Sequence, residues 1–108
     1  MAITERIDAV TLIPPERMRA ELAAPCSVKV ELSGRCNYRC GFCALRSRDA
    51  QPTADTPWAL FERLAREMRE AGVEELGLFF LGESFMAPRL LVRAVRFAKR
   101  ELGFPYVS

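Results

Sequence analysis

The sequence predicts an α/β fold with parallel strands, and three observations carry that expectation. Val28, Val30 and Leu32 alternate with Lys29 and Glu31, the period of a half-buried strand. Residues 57–71 and 88–102 each repeat apolar side chains at helical spacing. Between them, residues 75–81 are almost wholly apolar, as in a strand covered on both faces of a parallel sheet. With residues 104–108 as the start of a third strand, the order is β-α-β-α-β, and such alternation implies right-handed crossovers.

Residues 1–24 read as an N-terminal extension containing a short helix over 16–22, with Pro14 and Pro15 before it and Pro25 after it. The first strand, 27–32, runs straight into a cysteine-rich loop. Residues 46–56 are polar and contain proline, hence loop. Thr56 and Pro57 then supply an N-cap and a first helical position, with Trp58 anchoring the helix start. Leu60, Phe61, Leu64, Ala65 and Met68 form that helix's apolar stripe, and Gly72 stands where it ends. Gly82, Glu83 and Ser84 make a tight turn after the second strand. In the last helix Leu90, Leu91, Ala94, Val95, Ala98 and Leu102 face inward, and the arginines read as a solvated face. In parallel α/β sheets the loops after the strands carry the chemistry, so the cysteine loop and the Gly82–Ser84 turn belong on one rim.

Composition excludes several function classes. A chain of 108 residues with 50% hydrophobic and 28% charged residues builds one packed domain rather than a disordered segment. The net charge of +2 comes without a basic block, so nucleic acid is not indicated as a partner. Histidine is absent, which removes imidazole as base or ligand. No apolar run approaches the ~18 residues of a membrane span, and the N-terminus lacks the pattern of a secretory signal. The expectation is a cytoplasmic protein, where clustered cysteines point to metal or redox chemistry.

Three of the 4 cysteines follow the spacing Cys36-x3-Cys40-x2-Cys43. Thiolates are soft ligands suited to zinc or iron–sulfur clusters. A structural zinc site needs a fourth ligand, and only Cys26 remains. It precedes the strand whose far end carries the trio, and five or six extended residues span ~17–20 Å. Ferredoxin-type clusters also expect four cysteines at other spacings, and free cysteine is often a small buried hydrophobe. A cluster held by three thiolates leaves one iron open for a further ligand, much as a catalytic zinc keeps a vacant position.

Cys36-x3-Cys40-x2-Cys43, with Phe42 before the last cysteine and the preceding run from Val30 to Arg35, resembles the signature of the radical S-adenosylmethionine (radical SAM) superfamily. It is most similar to the SPASM and cofactor-maturase branch. The resemblance implies the N-terminal β-α-β-α-β portion of a partial (β/α)6 barrel. It implies a [4Fe–4S] cluster on Cys36, Cys40 and Cys43 whose open iron binds S-adenosylmethionine for reductive cleavage to a 5′-deoxyadenosyl radical. It implies contact of Phe42 with the cofactor's adenine, and of Gly82, Glu83 and Ser84 with its methionine part. Gly82 and Glu83 match the family's Gly-Gly-Glu motif, whereas Leu81 replaces its first glycine. An acid at that rim also suits an ammonium group on charge grounds alone.

The implied partners are an external electron donor of flavodoxin or ferredoxin type and an unidentified substrate, a peptide or small molecule. Arg35 and Arg39 flank the cysteines and either tune the thiolates or the cluster charge or are simply solvated, and Arg46 and Arg48 either meet an anionic substrate or are part of a polar loop. The resemblance covers residues 26–108, so residues 25–108 read as a truncated core and the chain as a fragment of a longer enzyme. The alternative is a non-catalytic iron–sulfur or zinc module in electron transfer or assembly.

Overall fold

A computed structural model describes residues 2–21 and 23–108. The order is α1 (Ile3–Thr11), β1 (Ser27–Lys29), α2 (Trp58–Ala71), β2 (Glu75–Gly77), α3 (Pro88–Arg96) and β3 (Tyr106–Val107). Short 3-10 turns cover Pro15–Arg17, Ala44–Ser47 and Ser84–Met86, and α3 continues as a π-helical turn over Phe97–Glu101. The three strands are parallel in the order β1-β2-β3. Val28 lies opposite Leu76, and Leu76 opposite Val107. The fold is α/β, as the sequence predicts.

β1 ends at Lys29 rather than at residue 32, yet the alternation continues through the residues that follow it. Val28 and Val30 pack against the core and Leu32 is fully buried within it, while Lys29 is exposed. From the helices come Phe61 and Ala65 of α2, Ala94 of α3, and Phe97 and Ala98 of its π-helical extension. Phe104 closes this layer at 1% exposure. Trp58, Phe61 and Phe97 form an aromatic cluster with centroids 5.3–6.5 Å apart, tilted or edge-on. Gly72 ends α2 at φ 99°, a left-handed conformation that favours glycine, and its N–H returns to the Arg69 and Met68 carbonyls.

Several elements differ from expectation. The region expected as a helix over 16–22 holds only the turn Pro15–Arg17, its Leu22 end lies outside the described residues, and the N-terminal helix is instead α1. Thr56 does not cap α2: its hydroxyl donates to the Glu31 carbonyl at 2.7 Å, and Pro57 takes the cap position. The second strand is shorter than 75–81. Its outermost ladder bonds are Val30 N–H to the Gly77 carbonyl (2.8 Å) and Leu78 N–H to the Ser108 carbonyl (2.7 Å). Beyond them Phe79, Phe80 and Leu81 are 42%, 65% and 47% exposed and lie outside the core. Leu60 and Val95 lie outside the core, and Arg93, exposed as the solvated-face reading expects, also stands over the Trp58 ring at 3.8 Å.

Candidate functional site

The loop leaving β1 and the turn leaving β2 meet at the same end of the sheet. Glu83 N–H donates to the Arg35 carbonyl at 2.7 Å. Glu31, just past β1, reaches across: its Oε1 accepts the N–H groups of Leu81 (2.9 Å) and Gly82 (2.6 Å). Gly82 is pressed against the backbone of Ser33 and Gly34. A Cβ there would stand 2.0 Å from the Ser33 carbonyl oxygen and 2.9 Å from Gly34 Cα, so only glycine fits.

The start of the cysteine loop is held by side chains from the polar stretch after it. Gln51 clamps Cys36 at two points, Oε1 accepting its N–H (3.1 Å) and Nε2 donating to its carbonyl (2.9 Å). Arg48 donates to the Gly34 carbonyl (2.8 Å) and to Gln51 Oε1. Arg35 pairs with Asp55, and its Nη2 also donates to the Met86 carbonyl at 3.1 Å. The Ser33 hydroxyl is the main influence holding the Asp55 carboxyl below the usual carboxylate range. Partial burial opposes that shift, and the Arg35 guanidinium adds to it.

Further along, the loop opens outward. Cys36 and Cys43 are half-buried and Cys40 exposed, and none is in a disulfide. Cys43 Sγ accepts the Leu45 N–H at 3.4 Å, capping the turn Ala44–Ser47. Phe42 is 95% exposed. Arg39 donates to the Cys36 and Tyr38 carbonyls. Arg46 lies within the turn, its side chain outside the described residues. Cys26 sits at the opposite end of the sheet, its carbonyl accepting the N–H groups of Glu74 and Glu75 at 3.0 Å.

The Gly82–Ser84 residues adopt distinct roles. Glu83 Oε1 accepts the Phe85 N–H at 3.1 Å, capping the turn Ser84–Met86. Ser84 is buried, and its hydroxyl donates to the Leu78 carbonyl. Among the described residues no three Cys, Asp or Glu side chains are gathered around a metal-sized space. The donor set itself, three accessible soft thiols in one loop, suits an iron–sulfur cluster. Sequence patterns missed Gln51 and Asp55, which lie in an aperiodic loop, and carried Glu31 only as the polar side of a strand.

The chain is similar to curated proteins described as S-adenosylmethionine-dependent nucleotide dehydratase RSAD2. It is 35% identical to that of Danio rerio over 95 residues, 86% of this chain and 25% of the relative. For Oncorhynchus mykiss the figures are 33% over 88 residues, 80% and 24%; for Siniperca chuatsi, 33% over 86 residues, 78% and 23%. The chain spans about a quarter of their length. No family model and no solved structure matches it. Among the described residues no helix is long and apolar enough to cross a membrane.

Proposed function

We propose that this chain is the cluster-bearing part of a radical SAM enzyme, with residues 25–108 as the opening of its core. Cys36, Cys40 and Cys43 hold a [4Fe–4S] cluster, and S-adenosylmethionine binds its open iron. The observation that carries the reading is the position of the trio: three thiols in the loop that leaves β1 beside the Gly82–Glu83 turn, with Cys26 at the other end of the sheet. When bound, the cluster supplies the electron that cleaves S-adenosylmethionine to methionine and a 5′-deoxyadenosyl radical, the species that takes a substrate hydrogen.

The chain's own residues orient and hold. Gln51 fixes the backbone of Cys36, and Glu31 and Arg35 fasten the Gly82–Glu83 turn to the cysteine loop. Phe42, fully presented to solvent, is free to cover the adenine. Glu83 carries the charge for the methionine ammonium, its second carboxylate oxygen remaining for that contact. Ser84 supports the turn from beneath through Leu78.

An external one-electron donor of flavodoxin or ferredoxin type reduces the cluster in the cytoplasm, consistent with four unpaired cysteines. The relatives' name makes a nucleotide the proposed substrate class, in place of the peptide that a SPASM-type branch would take.

Anaerobic reconstitution tests the proposal. About four irons and four sulfides per chain are expected, with an electron paramagnetic resonance signal that changes on adding S-adenosylmethionine. Stoichiometric zinc without iron uptake would instead establish a non-catalytic metal module.

A further inference from the structure

The most cationic feature outside the cysteine region lies on the outer layer. Arg89, Arg93 and Arg96 recur every three to four residues along α3, so they share one face. They line a groove of ≈ 690 Å³ between α2 and α3, together with Trp58 and Val92. All three arginines are exposed, and among the described residues none has a carboxylate partner. Arg93 stands over the Trp58 ring at 3.8 Å, and Val92, 49% exposed, lines the same groove. Tryptophan and arginine are the residue types that most often dominate protein interfaces, through burial of their broad planar groups.

We propose that this groove docks an acidic helix of a partner protein, one carrying carboxylates at the same three-to-four-residue spacing with apolar residues between them. Charge complementarity selects the occupant. The three guanidinium groups present planar donor forks suited to carboxylates, while Val92 and the edge of Trp58 offer contact area for apolar side chains. Glu62 and Glu101 line the same groove. A phosphate backbone, with its unbroken row of negative charge, would run against them. A helix with intermittent carboxylates can set a lysine or a neutral residue there. Glu62 is further held by Arg66 at 3.2 Å, which leaves it poorly placed to neutralise the stripe. This surface does not depend on the cluster proposal, and iron uptake by the cysteine loop is unaffected by its failure.

The chain's only tryptophan sits in the groove and reports on it directly. The full chain is titrated with a helical peptide of about 20 residues bearing glutamates at this spacing with leucines between. Parallel titrations use the same peptide with lysine for glutamate, a single-stranded RNA oligonucleotide and phosphatidylglycerol vesicles. The glutamate peptide alone should change Trp58 emission saturably, with affinity falling as salt rises. The double substitution Arg89→Glu and Arg96→Glu should weaken it roughly tenfold or more without altering circular dichroism, since both side chains are exposed. No response to the glutamate peptide, an unchanged affinity in the double variant, or equal or tighter binding of RNA or vesicles would overturn the proposal.

Discussion

Arg35 grips Asp55 by two parallel hydrogen bonds, Nε to Oδ1 at 3.2 Å and Nη2 to Oδ2 at 2.7 Å. Through its other bonds Arg35 also touches Met86 and Glu83, so one residue joins the loop after β1, the approach to α2 and the turn after β2. Lysine cannot reproduce that fork. Arg35→Lys should therefore lower stability by roughly 1–2 kcal/mol, since the pair is about two-thirds buried and its carbonyl contact is lost as well. Denaturant unfolding measures it.

The same pair gives a pH dependence. Asp55 titrates below its ordinary range in the folded chain, so its contribution is fully present above the unfolded value of 3.8 and disappears as pH falls through the lower folded value. Asp55→Asn should lose stability at neutral pH and lose less than the parent on moving into that acid range. Unfolding midpoints at pH 7 and at about pH 3 would reveal the difference.

Gly82→Ala should open the turn. A methyl group 2.0 Å from the Ser33 carbonyl cannot be absorbed by a rotamer change, because the obstacle is backbone. The expected cost is on the order of 3 kcal/mol, read by thermal unfolding, with loss of protection at the Leu81 and Gly82 amides that Glu31 now holds.

Gln51→Ala removes both side-chain bonds to Cys36. The Cys36 amide should then exchange with solvent roughly tenfold faster or more. Iron retention after reconstitution should fall as well. Cys26→Ser, at the far end of the sheet, should leave iron content unchanged, whereas serine at 36, 40 or 43 should abolish it.

Phe104 and Phe80 separate core from surface. Phe104 is 1% exposed and Phe80 65%. Phe104→Ala should cost about 3–5 kcal/mol, enough to unfold a marginal domain, while Phe80→Ala should stay within about 0.5 kcal/mol. Urea denaturation of the two variants decides it.

Local pattern was sufficient for the element order from β1 to β3, though not for α1. Val28, Val30 and Leu32 on one side of a strand, Phe61 and Ala65 on one side of a helix, and glycine at 72 are all readable because burial periodicity and left-handed termini are properties of neighbouring residues. The spacing of Cys36, Cys40 and Cys43 is legible for the same reason. Trp58 was legible as a helix-start anchor, but not as the floor of a groove that Arg93 covers, since the two residues meet only when α2 and α3 pack.

What the sequence by itself determined, then, is the succession of strands and helices from β1 to β3 and the gathering of three thiols in one loop. Tertiary structure alone decided the length of β2, because a strand lasts only while neighbouring backbones supply its ladder. It also decided that Thr56 serves Glu31 rather than α2, and that Gln51 and Asp55 brace Cys36 and Arg35 across 15 and 20 residues. Hydrogen bonds from loop side chains to distant backbone leave no period in a sequence, since the helices and sheet that bring the ends together create them.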